Sequence, residues 1–352
     1  VGSILSPAEK SNVVGLKPSR GLVAIDGTIP ISTRQDVIGI LSRTVKDAAF
    51  LLNSMAGRSE LDERTWNIPL DPMPDFTKFC EKIDLTGLSI GVPRNTFSLD
   101  PTSPVMVSFK SALTVLAAAG AKIVDNANFL EADEFKKLNQ QVKGIVRSSE
   151  FRQDIVRYLE TLATNSNNIK SAEDIIEFTK TFPAEQYPDK DIGKFRWTQV
   201  EGIDVDGERY RHMLEQEVFF GGEGGILGAL GKFKIDCFVV PSYAGIGPDL
   251  AAKMGFPELS VPLGFYPEGT PISYDADEPE PPPPPFPKHL NHELTSSNPR
   301  YSMTFFTDVF SDVVLLRVGH AFEQLAATRE KGPRPFNPPK TELHDVRLMH
   351  KD

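Results

Sequence analysis

The sequence predicts an α/β fold, a large mixed β-sheet flanked by helices. Three observations carry this. Short apolar runs bounded by proline or glycine alternate with longer stretches of helical periodicity. Residues 88–92, 104–119 and 122–124 read as strand, helix and strand, the signature of a crossover unit in an α/β sheet. Residues 235–240, stopped by Pro241, form the clearest strand of the chain.

The chain opens with Val1-Gly2-Ser3-Ile4-Leu5-Ser6-Pro7-Ala8. A small residue precedes a hydroxyl, and Pro7 fits a first helical turn. Such a segment places Ser3 beside exposed backbone N–H groups, where a nucleophile and an oxyanion site can form. These eight residues alone carry no site, because a Gly-Ser pair is also common at a frayed terminus.

Val13-Val14-Gly15-Leu16 suits a buried strand, and Pro18 disfavours its continuation. Gly21, Gly27 and Pro30 punctuate the next stretch, and residues 37–41 form a second strand. Ser42 and Thr44 offer helix caps, and Thr44 with Asp47 resembles a capping box. The helical face is Val45, Ala48, Leu51, Leu52, Met55 and Ala56, with Gly57 as the stop. Residues 58–84, with Pro69, Pro72 and Pro74, read as an irregular surface connection. Val107, Ala112, Val115, Leu116 and Ala119 mark the face of the helix at 104–119, ended by Gly120.

Residues 131–182 are helical and charged, with an apolar stripe of Phe151, Ile155, Tyr158, Leu159 and Leu162, broken at 165–168. Residues 183–207 are polar and turn-rich, and 208–230 resume as helix. Residues 259–263 and 304–306 are extended. Between them, 267–300 is proline-rich and reads as an extended surface insertion rather than a ligand for a proline-binding module. Ser311 caps a closing helix with face Val314, Leu315, Val318, Phe322 and Leu325, and a surface arm follows from Lys331. No internal repeat is present.

The 352 residues, 40% hydrophobic and 24% charged, suffice for one large domain or two. A net charge of −10 without any dense basic run argues against nucleic acid or an anionic membrane as the main partner. No apolar run reaches transmembrane length. Cys80 and Cys237 are too few for a disulfide framework and lack metal spacing; reduced thiols are the simplest reading, although a single pair stays open. The sequence begins at Val1 with no signal-peptide pattern, so a cytoplasmic location is the default expectation.

Other chemistries find little support. There is no Gly-x-Ser-x-Gly elbow, and most of the six histidines fall in the proline-rich stretch or the tail. His289 and His292 have metal-like spacing without a third ligand. The glycines of 221–225 lack the Gly-Lys-Ser/Thr ending of a phosphate loop and read as a joint before a helix. Asp204-x-Asp206-Gly207 is too short for a calcium loop. Arg43 and Asp47 are helix-start and packing residues. No metal and no cofactor are expected.

Three strings in order then gain meaning: Gly-Ser-Ile-Leu-Ser-Pro-Ala from Gly2, Asn-Val-Val-Gly-Leu-Lys-Pro-Ser-Arg-Gly from Asn12, and Arg-Thr-Val-x-Asp from Arg43, with Pro30, Asp36 and Gly39 between. Order and spacing resemble the amidase signature family over about fifty residues, far more specific than one short motif. Weaker matches follow at 225–242, 255–265 and 315–324, while 131–207 carries no family motif. The resemblance implies one amidase signature domain over 1–330, incomplete on its N-terminal side. It contains a variable helical region (131–207) and a proline-rich surface insertion (267–300), and a tail follows at 331–352.

The resemblance also implies a mechanism: hydrolysis of a carboxylic amide by a serine nucleophile, a bridging serine on a cis peptide bond and a lysine base. By motif position Ser3 is the nucleophile, and the backbone N–H groups of Gly2 and Ser3 contribute to the oxyanion hole. The substrate is a small-molecule amide. The family's lysine and bridging serine lie upstream of the signature; Lys10, Lys17, Ser6 and Ser11 are not at their positions, and Leu5 stands where the family has arginine. The expectation is therefore the C-terminal portion of an amidase, with little or no activity by itself. The alternative is a non-catalytic amidase-like binding protein. Close relatives serve as the glutaminase subunit of a transamidation complex, but nothing in this sequence marks partner subunits or transfer RNA.

Overall fold

The computed structural model describes residues 2–242, 245–267 and 300–332. Among them, seven strands form one mixed sheet in the order β2 (Ile40–Ser42), β1 (Val14–Lys17), β6 (Glu258–Phe265), β7 (Arg300–Phe306), β5 (Cys237–Pro241), β3 (Ser89–Val92), β4 (Lys122–Asp125). From β2 to β5 every neighbour is antiparallel; β5, β3 and β4 are parallel. The parallel edge is the expected crossover: β3 leads through α3 (Pro104–Ala118) to β4, with Ile90 opposite Ile123.

Helices cover both faces, as a sheet buried on two sides requires. Alternation along β5 divides the core. Cys237 and Val239 join the cluster under α2 (Val45–Met55), α3 and α11 (Asp312–Ala326); Phe238 and Val240 join Phe129, Leu250 and Phe306 under α9 (Ile226–Phe233) and α10 (Ile246–Met254). The helix α1 (Gly2–Ser11) lies on this second face, against β1, β6 and β7. Further out, α5 (Gln140–Glu160) packs on α7 (Gly193–Glu201) and α8 (Glu208–Gly221), α6 (Ala172–Thr181) packs on α5 and α7, and α8 packs on α10.

Thr44 caps α2 as its spacing predicts, its hydroxyl accepting the Asp47 N–H at 3.0 Å. Elsewhere the structure corrects the sequence reading. The second strand begins at Ile40, not at 37. The stretch 183–207 contains α7, which buries none of its residues and so shows no apolar stripe. Residues 208–230 form two helices, α8 and α9, because Gly222 and Gly225 leave helical backbone angles. The helix α10 is short and opens on Ile246-Gly247-Pro248, so the sequence shows no helical period there. On α3, Met106 and Phe109 are buried while Val107 faces solvent, and on α2 Ala49 is buried instead of Leu51. The connection at 58–84 is not all surface, since Phe76 and Cys80 enter the core. Ser311 makes no side-chain cap on α11. Most of the proline-rich stretch (268–299), including His289 and His292, and the tail from 333 lie outside the described residues.

Both cysteines are free and buried, and burial pushes the Cys80 thiol up to about 12. Among the described residues no helix is long and apolar enough to cross a membrane.

Candidate active site

Ser3 is the second residue of α1 and is exposed. The helix is seated by its underside, where Leu5 and Ala8 are fully buried. Two close approaches fix that seat. A Cβ on Gly15 would stand 2.6 Å from Ala8 Cβ and 3.2 Å from the Ile4 carbonyl oxygen, and one on Gly39 would stand 2.3 Å from Ile4 Cδ1. Only glycine lets β1 and the 37–39 segment close around the first turn of α1. At the far end of the helix, Glu9 accepts from Ser302 N–H at 3.1 Å, from Ser302 Oγ at 2.6 Å and from Ser242 Oγ at 3.1 Å. Ser3 therefore stands on a rigid element.

The first turn of any α-helix has N–H groups without intrahelical acceptors and the positive end of the dipole. In α1 these belong to Gly2, Ser3 and Ile4, and a side chain placed on Gly2 would meet nothing within 4 Å. Ser3 itself is exposed on this turn. Among the described residues no side chain hydrogen-bonds to Ser3 Oγ.

Beside this turn lies a shallow hollow of about 210 Å³ lined by Ile25, Thr28, Ile29, Ile31, Asp36, Val37 and Ile38. Gly39, which touches Ile4, adjoins its wall. Ile29 and Ile31 are 67% and 51% exposed, an apolar rim open to a ligand. Asp36 is the one acid in the wall. Burial raises its pKa, while its Oδ2 accepts the N–H groups of Ile31 (2.7 Å) and Ser32 (3.0 Å). A larger groove of about 580 Å³ runs along α8 to Leu227 and Met254; it is apolar and holds no nucleophile.

Lys17 is fully buried beneath α1. Its ammonium donates to the Phe256 carbonyl and lies 3.7 Å from Glu258 Oε1, so it is committed to the sheet. Lys10 is exposed on the last turn of α1. Next to Lys17, Ser19 N–H and Oγ donate to the two oxygens of Asp312 at 2.9 and 2.5 Å, tying the end of β1 to the start of α11. Among the described residues no group of three His, Cys, Asp or Glu could hold a metal ion.

Sequence reasoning singled out Gly2 and Ser3 but missed the polar groups that fasten the surrounding elements. Glu9 and Asp312 each sit in a helix with no motif of their own, and Glu258 is a single letter of the 255–265 run. Also missed were Arg34, in a turn, and Glu150 and Glu217, on helices, which hold the loop beside the hollow: Arg34 Nε and Nη2 donate to Glu150 and Glu217, each at 2.7 Å. A lone arginine in a polar turn followed by acids on distant helices is the only trace they leave.

Comparison with known proteins identifies the family. The Amidase family model matches residues 1–189, more than half of the chain. A putative amidase of Arthroderma benhamiae is 36% identical over 348 residues, which is 98% of this chain and 55% of that protein. A probable amidase of Arabidopsis thaliana is 28% identical over 333 residues, 94% of this chain and 56% of that protein. The native peptide amidase of Stenotrophomonas maltophilia superposes with a TM-score of 0.75 at 25% identity, covering 96% of this chain and 62% of that one. The chain spans about half the length of these two sequence relatives. The family model's match to more than half of the residues, with the mixed sheet shared with solved amidases, leads to one conclusion: the chain belongs to the Amidase family.

Proposed function

We propose that the chain carries the nucleophile of an amide hydrolase, with Ser3 attacking a small-molecule carboxylic amide. The observation that carries this is an exposed serine in the first turn of a helix whose position on the sheet is fixed by Gly15 and Gly39. Ser3 Oγ attacks the amide carbon, and the displaced electron pair becomes an oxyanion. The backbone N–H groups of Gly2 and Ser3 receive it, each such donor contributing on the order of 3 kcal/mol to the transition state. The C–N bond then breaks, the amine leaves with a proton, and water releases the acid from the ester on Ser3. The isoleucine-rich hollow supports an amide with an apolar group. The reaction uses no metal or cofactor, and the domain runs over 1–330.

The proton of Ser3 goes to a lysine in the mechanism implied by the signature. Lys17 is engaged with Phe256 and Glu258, so this chain by itself turns amides over slowly or not at all. The same observation favours a second reading, an amidase-like protein that binds amides without cleaving them. Treatment with a fluorophosphonate, together with hydrolysis of aryl and alkyl amides, separates the two. Slow labelling at Ser3 that is lost in Ser3→Ala supports the nucleophile. Labelling elsewhere, or hydrolysis untouched by Ser3→Ala, rejects it. Rapid Ser3-dependent turnover would instead place a working base within the chain.

A further inference from the structure

We infer that Arg34 is a positioning residue that ties the wall of the hollow to the outer helices α5, α8 and α10, so that those helices set the hollow's shape. The inference rests on reading the hollow as the amide-binding site.

Residues 32–34 lie between the hollow-lining Ile31 and the hollow-lining run Asp36, Val37 and Ile38. All three are clamped. Arg34 donates from Nε to Glu150 Oε1 on α5 at 2.7 Å, from Nη2 to Glu217 Oε2 on α8 at 2.7 Å, and from Nη1 to the Lys253 carbonyl on α10 at 2.9 Å. Thr33 N–H and Oγ1 donate to Asp154 Oδ2 on α5 at 2.7 and 2.9 Å, and Ser32 Oγ donates to Glu150 Oε2. Other arginines hold the same main chain: Arg20 Nη1 donates to the Arg34 carbonyl at 2.5 Å and Arg64 Nη1 to the Thr33 carbonyl at 2.7 Å.

The acids are themselves fixed. Glu217 Oε1 accepts from Lys253 Nζ at 2.9 Å, and Glu150 Oε1 accepts from Tyr210 OH at 2.7 Å. Two cations, Arg34 and Lys253, thus meet two carboxylates with their hydrogen bonds made, which is the condition for a partly buried polar network to be rigid. Burial works against the Arg34 charge, but Glu150 and Glu217 outweigh it and raise its pKa. A planar guanidinium reaches two carboxylates and a carbonyl at fixed angles, whereas a lysine is a single point on a flexible stem. The partners lie 116, 183 and 219 residues away in sequence, so one side chain fastens three separate helices to one loop.

The test is hydrogen exchange on the chain, with benzamide as the binding probe. In Arg34→Gln, backbone amides of 28–38 are expected to exchange about tenfold faster while those of β5 and β6 stay unchanged, the pattern of a local opening. Benzamide is expected to bind about fivefold more weakly, as the competent loop state becomes less populated. Arg34→Lys keeps the charge and loses the fork, so it shows nearly the same loss; Glu217→Gln, which leaves Arg34 in place, shows a smaller one. Unchanged exchange at 28–38, faster exchange shared equally with the core strands, or full rescue by Arg34→Lys overturns the inference. If the unaltered chain binds no benzamide, the amide-site reading fails, and the exchange pattern alone still decides whether Arg34 clamps the loop.

Discussion

Lys17 stands directly opposite Glu258 in the register of β1 and β6, with ammonium and carboxylate 3.7 Å apart and both side chains fully buried. At that distance the contact is a charge interaction, not a hydrogen bond. Among the described residues neither oxygen of Glu258 has a hydrogen-bond partner, and Lys17 donates to Phe256 instead. Burial dominates both groups. It lowers the Lys17 pKa and raises that of Glu258 to about 7, against the opposing pull of each partner's charge.

Glu258 makes stability depend on pH with a definite sign. The folded state holds the Glu258 proton more tightly than the unfolded chain does, where a glutamate titrates near 4.5. The contribution is therefore complete below pH 4.5 and is lost as pH rises through about 7. Its upper bound is roughly 3–4 kcal/mol, from about 1.4 kcal/mol per pKa unit. Urea unfolding between these pH values reads the slope directly. Glu258→Gln should flatten it, and a variant that keeps the wild-type slope shows that another group is responsible. Lys17→Met leaves the acid without a countercharge and should cost roughly 3–5 kcal/mol at pH 8, and less at pH 5 where Glu258 is neutral.

This pair also shows what a sequence reveals and what it hides. Lys17 was visible as part of the Gly-Leu-Lys-Pro string, and Glu258 as one letter of a run ending in Ser-Val-Pro-Leu-Gly; their meeting depends on a strand pairing 241 residues apart, counted from 17 to 258. The strands β1, β3, β5 and β6 were legible because buried strands are short apolar runs with sharp ends. The helix α7 was not, because it buries no residue and so carries no period. Ser3 was legible through a long motif, whereas Glu9 and Arg34 act through partners brought together only by the fold.

The seat of α1 is tested by adding one methyl group. Gly15→Ala places a Cβ within 2.6 Å of Ala8 Cβ, which the helix can accommodate only by lifting. Overpacking of this kind costs about 1–3 kcal/mol. Ala8→Gly alone loses helix propensity, by about 1 kcal/mol. Combined, the two changes remove the 2.6 Å contact and leave only the 3.2 Å approach to the Ile4 carbonyl oxygen, so the double variant should be more stable than the sum of the singles predicts. Thermal unfolding of the four proteins gives the coupling. Strict additivity would show that α1 does not bear on Gly15. Because the lifted helix carries Ser3 with it, fluorophosphonate labelling should fall in Gly15→Ala and return in the double variant.

Leu5 stands where the amidase signature pattern has arginine, and here the position is closed. The side chain is fully buried beneath α1. The nearest acid along the helix is Glu9, one turn on, and its oxygens already accept from Ser302 and Ser242. An arginine introduced at this point would bury a cation whose natural partner is occupied. Leu5→Arg should therefore destabilise the chain by more than about 3 kcal/mol, the range for an uncompensated buried charge. Leu5→Met, which conserves volume and polarity, should cost less than about 1.5 kcal/mol. Urea unfolding of both variants decides it. An arginine variant as stable as the methionine one would mean that Glu9 gives up its serine partners and turns to the new cation, and hydrogen exchange at the Ser302 amide would then rise as that bond is lost.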